Sequence, residues 1–289
     1  MCLVIPSCLA HVGANPGTVL GTDTILSPQF NNIKEMIAAD VAEHFHAAGF
    51  NVLLYDPRTI GASDGLPRNE PNPARNVEDY HDALTFLKAQ PSVDPKRIAF
   101  WGYSFSGLAA LCAAALDKRA RAVIAVSPVT VWHFTKWTKV LAKAMKDRES
   151  RLAGNKPVKL PMVTEDGQQP AGFAVGLEDE DVYNIITRSA EVQPSFVNET
   201  TLSTYYHIAA FQPFGLLPFV SPTPVMVVTG ENDVVSPAEL QRTKICDVFQ
   251  EPKKLLMVPQ KGHMNVLSGQ EGPEVLDAQV AFLKEVLGV

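Results

Sequence analysis

Within RIAFWGYSFSGLAALCAAAL, residues 97–116, a hydrophobic run stops at Gly102-Tyr103-Ser104-Phe105-Ser106-Gly107 and then resumes as an alanine-rich stretch. Serines among glycines at such a junction suit a nucleophile elbow. This is a sharp strand-to-helix turn that holds a hydroxyl clear of the backbone and requires small neighbouring side chains. Ser104 has Gly102 two residues before it and Ser106 two residues after it, whereas Ser106 is preceded at that spacing by another serine. Ser104 is therefore the candidate nucleophile, in a Gly-x-Ser-x-Gly pattern whose second glycine is replaced by serine. Serine is nearly as small as glycine, so Ser106 reads as a tolerated replacement whose truncation should be mild.

A serine hydroxyl attacks a carbonyl when a base removes its proton, and an imidazole base needs a carboxylate to hold its tautomer. Asp233 follows the apolar run PVMVVTG within TGENDVVSP, and His263 follows KLLMVPQ within KGHMNVL. Taken singly, each reads equally well as a turn or loop residue. With Ser104 they give the chain order Ser, Asp, His, each just past a strand-like run, which is the order of a triad in the α/β-hydrolase fold.

The other histidines are weaker candidates. His44 and His46 lie two apart on a predicted helix and point to different faces, a poor metal pair. His81 falls on another predicted helix and His11 in an atypical amino terminus; His133 and His207 read as packing or solvent-facing, with substrate contact as the alternative. The Gly61–Gly65 stretch opens no convincing helix for phosphate binding, and no metal or cofactor is called for.

The elements that must position these residues follow from periodicity. Runs at 18–27, 51–56, 97–103, 121–127, 224–230 and 254–259 read as buried strands. Helical patterns at 34–50, 76–89, 106–117, 237–249 and 274–287 lie between most of them, the first closing at Gly49. This alternation predicts an α/β chain, a mostly parallel sheet with helices on both faces and right-handed crossovers, and the elbow and triad order on it point to the α/β-hydrolase fold. Residues 1–128 and 221–289 would form the core. Residues 129–220 would form an inserted cap between the sixth and seventh strands of the fold, at the carboxyl edge where ligand crevices of parallel sheets lie. That interval holds 11 of the 23 aromatic residues, too many for a linker. Trp132, Trp137, Tyr205, Tyr206 and Phe211 are its candidate substrate-pocket residues, although such side chains also read as the insert's own small core.

Bulk composition narrows the partners. The 289 residues are 46% hydrophobic and 19% charged, ordinary for a globular domain, and the formal charge of −6 argues against nucleic acid. Cys2, Cys8, Cys112 and Cys246 have no CxxC spacing and fit a reducing compartment. No run reaches the roughly 18 to 20 apolar residues of a membrane span. The opening MCLVIPSCLAHVGA lacks a basic region and is interrupted by Pro6, so a cytoplasmic location is expected and the sequon at Asn198 is expected to stay unused.

LSPQFNNIKEM, LLYDPRTIGASDGLPRNE, VEDYHDALTFLKAQPSVDPKRIAFWGYSFSG, DKRARAVIAVSP, YYHIAAFQPFG, PTPVMVVTGENDVVSP and KGHMNVLSGQE carry a family likeness. As a set they resemble fungal α/β hydrolases encoded with secondary-metabolite clusters, the AK-toxin-type hydrolases and polyketide transferases. The likeness runs from about Ile25 to Val289. It implies acyl chemistry on polyketide-derived esters or thioesters, with a small-molecule acyl substrate or a carrier-bound polyketide from a polyketide synthase. It matches Ser104, Asp233 and His263 to the triad, and the backbone N–H groups of Phe30 and Phe105 to the oxyanion hole. Acyl transfer to an alcohol or amine is the alternative outcome, and a non-catalytic binding protein the alternative class.

Gln29 stands where the resemblance places a glycine, in a turn whose amino-terminal neighbours differ from the family's hairpin. If position 29 requires positive φ, glutamine adopts it only with strain. The reading favours a relaxed turn, a misdirected Phe30 amide and a gain in hydrolysis on Gln29→Gly.

Overall fold

The structure, a computed structural model, describes residues 9–12, 21–173 and 182–289. Cys2 and Cys8 lie outside the described residues, as does part of the run expected at 18–27. The strands in chain order are β1 (Leu9–Val12), β2 (Gly21–Ser27), β3 (Asn51–Tyr55), β4 (Val93–Tyr103), β5 (Ala122–Val126), β6 (Lys159–Leu160), β7 (Thr200–Thr201), β8 (Val225–Gly230) and β9 (Lys253–Val258). Seven of them form one sheet in the order β1-β3-β2-β4-β5-β8-β9, with β6 and β7 a separate antiparallel pair. Among the described residues only the edge strand β1 runs antiparallel in the large sheet; the other six strands are parallel.

Three of the apolar runs are strands covered on both faces, with β3, β5 and β8 buried at every position, whereas β9, expected to be buried, is an edge strand with Lys254 and Met257 exposed. Alternate residues go to opposite sides. Ile25, Phe100 and Val123 join one core with α2 (Pro73–Lys88) and α3 (Phe105–Leu116). Leu26, Trp101 and Ile124 join the other with α1 (Ile37–Ala47) and α8 (Gly272–Leu287). Each fully buried side chain of this size contributes about 1.5–3 kcal/mol. Helix α2 starts where Asn72 accepts from the amides of Ala74 (3.1 Å) and Arg75 (3.4 Å), with Pro73 preset for the first turn. The alanine-rich α3 is buried over nearly its whole circumference, its small side chains allowing close approach to the sheet.

Two features of this topology position chemistry. After β3 the chain crosses back over β2 to enter β4, so the strand order reverses there and opens a crevice at the carboxyl ends of the strands. The register then pairs Ser27, the last residue of β2, with Gly102, next to the end of β4.

Between β5 and β8 lie α4 (Trp137–Leu152), the β6–β7 pair, α5 (Val182–Val192), α6 (Leu202–Ala210) and short 3-10 turns. Among the described residues this interval follows the fifth and precedes the sixth strand of the large sheet, rather than the sixth and seventh. Phe134, Val140, Ala144, Ala171, Leu202 and Tyr205 form the interval's own core. Helix α7 (Ala238–Leu240) continues as a π turn and then a 3-10 turn where a single helix is expected. No helix among the described residues is long and apolar enough to cross a membrane.

Candidate active site

Strand β4 delivers Ser104 into a turn with φ 58° and ψ −116°, a costly conformation for a residue with a side chain. The surrounding packing enforces it. The Ser104 amide donates to Val126 O (2.8 Å) at the end of β5. A Cβ on Gly102 would lie 2.3 Å from Ser106 O and 2.7 Å from the Tyr80 hydroxyl, so only glycine fits. At Gly107 a Cβ would meet the carbonyl oxygens of Gly102 and Val126 at 3.1 Å, a tight but milder restriction.

Ser104 Oγ lies 2.8 Å from His263 Nε2, and His263 Nδ1 lies 2.9 Å from Asp233 Oδ2. The second carboxylate oxygen, Oδ1, accepts from the Ser236 amide at 2.7 Å. All three side chains are buried. With Nδ1–H donated to the carboxylate, Nε2 is left as the acceptor facing the serine hydroxyl. The loops after β8 and β9 that carry Asp233 and His263 are braced on each other. The Asn232 amide donates to Lys261 O (2.9 Å), and a Cβ on Gly230 would lie 2.3 Å from that same oxygen. Gly262 N donates to Asn265 Oδ1 (2.7 Å), and the Tyr103 hydroxyl donates to His263 O.

Phe30 and Phe105, the expected oxyanion residues, both line the crevice beside Ser104, their rings in edge contact at 5.3 Å. The Phe105 amide belongs to the first turn of α3, whose donors have no intrahelical acceptor.

The structure corrects the expectation for Gln29. Left-handed backbone falls at Asn31 (φ 57°), and Gln29 is not among the positive-φ residues. Asparagine tolerates that region far better than most residues. Gln29 is buried and closes the turn: its carbonyl accepts from the Asn32 amide (3.1 Å) and its Oε1 from Asn32 Nδ2 (2.9 Å). The strain argument for Gln29→Gly therefore does not hold.

Ser104 and His263 open onto a cavity of about 690 Å³. Of the five aromatic residues expected to line it, Trp132 does so, stacked on Phe105 at 6.0 Å with its Nε1 donating to Ile208 O (2.6 Å). The other four do not line it. Tyr205 is enclosed in the interval's own core, its hydroxyl accepting from Gln169 Nε2 (2.6 Å). Trp137 packs against Phe134 at 4.6 Å, Phe211 backs Trp132 at 6.0 Å, and Tyr206 is exposed. A large ring satisfies burial equally well in the insert's core, which takes Tyr205 and Trp137, or against the main core, where Phe211 packs.

Apolar side chains that the sequence reading missed line much of the wall, among them Met36, Met162, Val163, Ile186, Val235 and Met264. Val235 and Met264 lie within two residues of Asp233 and His263, a proximity that could have flagged them. Met162 and Ile186 carry no such signal. His133 lines the cavity against Trp137, whereas His207 faces Glu70 (3.5 Å), His44 pairs with Asp277 (2.8 Å), and His81 meets Ala113 O (3.2 Å). Cys112 and Cys246 are buried, free thiols, and burial pushes that of Cys112 up to about 12.

Comparison with known proteins adds to this geometry. The family described as serine aminopeptidase, S33, matches residues 35–267. The chain is 46% identical over 276 residues to the polyketide transferase ATR5 of Stachybotrys chlorohalonatus, covering 94% of this chain and 91% of that protein. It is 44% identical over 271 residues to a thiohydrolase of Eupenicillium brefeldianum, covering 93% and 88% respectively. Its fold matches the crystal structure of the α/β hydrolase GrgF from Penicillium sp. sh18 with a TM-score of 0.84, 38% identity, and coverage of 95% of this chain and 93% of that one.

Proposed function

The chain belongs to the serine aminopeptidase S33 family of α/β hydrolases, and from that premise we propose that it is a serine-dependent hydrolase of an acyl ester or thioester with a polyketide-like or fatty-acyl group. The observation that carries this reading is the hydrogen-bonded chain Ser104–His263–Asp233 opening onto a cavity with largely apolar walls. The relatives named thiohydrolase and polyketide transferase support the acyl class.

In this reading His263 Nε2 takes the Ser104 proton as Oγ attacks the carbonyl carbon, and Asp233 stabilises the imidazolium that forms. The negative oxygen of the tetrahedral intermediate is received by the Phe30 and Phe105 amides. His263 then returns its proton to the departing alkoxide or thiolate, leaving an acyl-enzyme on Ser104. Water, deprotonated by His263, attacks that ester; the acid product leaves and Ser104 recovers its proton. Residues 129–220 act as the cap, and their side chains hold the acyl chain. A carrier-bound polyketide is one form in which the substrate arrives. The relative named a polyketide transferase favours a second outcome, in which an alcohol or amine replaces water as acceptor.

Release of free thiol from an N-acetylcysteamine thioester of a medium-chain acid tests the proposal. Turnover by the wild type that is lost in Ser104→Ala supports it, and equal turnover in the two proteins rejects it.

A further inference from the structure

We infer that Ser106 is a positioning residue for the oxyanion hole, its hydroxyl fastening the elbow to the turn that carries Phe30. The inference rests on the reading of Ser104 as nucleophile and of the Phe30 and Phe105 amides as donors. Ser106 is fully buried. Its Oγ has three polar neighbours: the Tyr103 amide at 3.0 Å, Ser27 O at 2.8 Å and Tyr103 O at 3.0 Å. A hydroxyl accepts from the amide and has one hydrogen to give; Ser27 O is the nearer acceptor.

The placement of Ser27 and Tyr103 gives this bond its significance. Ser27 ends β2, and Pro28-Gln29-Phe30 follow it directly; Tyr103 ends β4, and Ser104-Phe105 follow it directly. The β2–β4 register ends at Ser27 opposite Gly102. Beyond that pair the ladder no longer ties the two segments, although each carries one of the two donors. The Ser106 hydroxyl supplies a link one step past the ladder. Glycine, usual at this position of the elbow, offers no hydroxyl to make it. Serine here is thus more than a small residue that fits, contrary to the mild effect of truncation expected from the sequence. An oxyanion hole acts through preorganisation of its donors, and loss of one donor costs about 100- to 1,000-fold in rate. Loosening one should cost less.

The test uses Ser106→Ala and Ser106→Gly, neither of which adds bulk, in the full chain beside Ser104→Ala. Turnover is measured on an activated ester, inhibition by an alkyl trifluoromethyl ketone, whose hemiketal oxygen mimics the oxyanion, and inhibition by the product carboxylate. We expect kcat to fall about 10- to 100-fold in both Ser106 variants, with KM and product inhibition within about threefold of wild type and ketone affinity falling in step with kcat. Two results overturn the inference while leaving the nucleophile in place. One is kcat and ketone affinity within threefold of wild type while Ser104→Ala is inactive. The other is a parallel loss of affinity for ketone and product, or loss of the folded circular dichroism spectrum in both variants, which would mark a merely structural residue. Undiminished activity in Ser104→Ala instead overturns the underlying reading, and this inference with it.

Discussion

The Ser104 hydroxyl and His263 Nε2 meet at 2.8 Å across 159 residues of chain, from the turns that follow β4 and the edge strand β9 of the sheet. Because base and nucleophile act as a unit, their losses are non-additive. His263→Ala should therefore lower kcat on an activated ester by at least about 10³-fold, as much as Ser104→Ala, and the double variant should be no worse. Asp233→Asn should keep more residual activity, since it chiefly disturbs the tautomer. Steady-state kinetics on the wild type and these four variants check this; near-normal turnover in His263→Ala removes it from the mechanism.

The cavity walls formed by Met36, Met162, Val163, Ile186 and Trp132 predict a preference for long apolar acyl chains. Each methylene buried contributes up to about 0.8 kcal/mol, roughly fourfold in kcat/KM. Across p-nitrophenyl esters from two to eight carbons, kcat/KM should rise by at least about tenfold in total. A flat or falling series places acyl recognition outside this cavity.

Gln29 closes its turn through Asn32, and the left-handed backbone of that turn falls at Asn31, so glycine at position 29 has no strain to relieve. Gln29→Gly should lower kcat by about 3- to 30-fold, because it loosens the turn leading to the Phe30 amide. A tenfold rise in kcat on the same ester would restore the argument for a strained position 29.

Asp23 of β2 is buried, and neither carboxylate oxygen has a hydrogen-bond partner of good geometry among the described residues. Burial pushes its carboxyl up to about 7; nearby Asn51 partly offsets this, and the Asp94 charge adds to it. The folded chain then holds this proton to higher pH than the unfolded chain does, so stability falls as pH rises from about 4 to about 7 and levels off above. Asp23→Asn should raise Tm by roughly 5 °C at pH 8, with the advantage shrinking toward pH 4. Thermal melts of the two proteins across that range decide it. A pH-independent difference would show that Asp23 is not ionising within it.

That Ser104, Asp233 and His263 would come together was legible because each follows a strand-like apolar run and parallel topology brings such strand ends to one edge, although β9, which leads to His263, is only partly buried. The cavity wall was much less so. Residue type does not say whether Tyr205 turns toward Phe134 or toward Ser104, and Met162 and Ile186 reach the cavity only through the packing of the 129–220 interval. Gln29 misled because sequence does not reveal which residue of a turn adopts positive φ; the structure puts it at Asn31. The bond from Ser106 to Ser27 spans 79 residues and follows from the β2–β4 register, which no local pattern encodes.

Covalent trapping asks whether Ser104 is the residue that forms the acyl-enzyme. The wild type is treated with an alkyl fluorophosphonate, digested and mapped by mass spectrometry, with Ser104→Ala and Ser106→Ala alongside. A single adduct is expected at Ser104 in the wild type, the same adduct formed more slowly in Ser106→Ala, and none in Ser104→Ala; only that pattern makes Ser104 the nucleophile. An adduct on Ser106, or labelling of Ser104→Ala at the wild-type rate, would contradict that assignment.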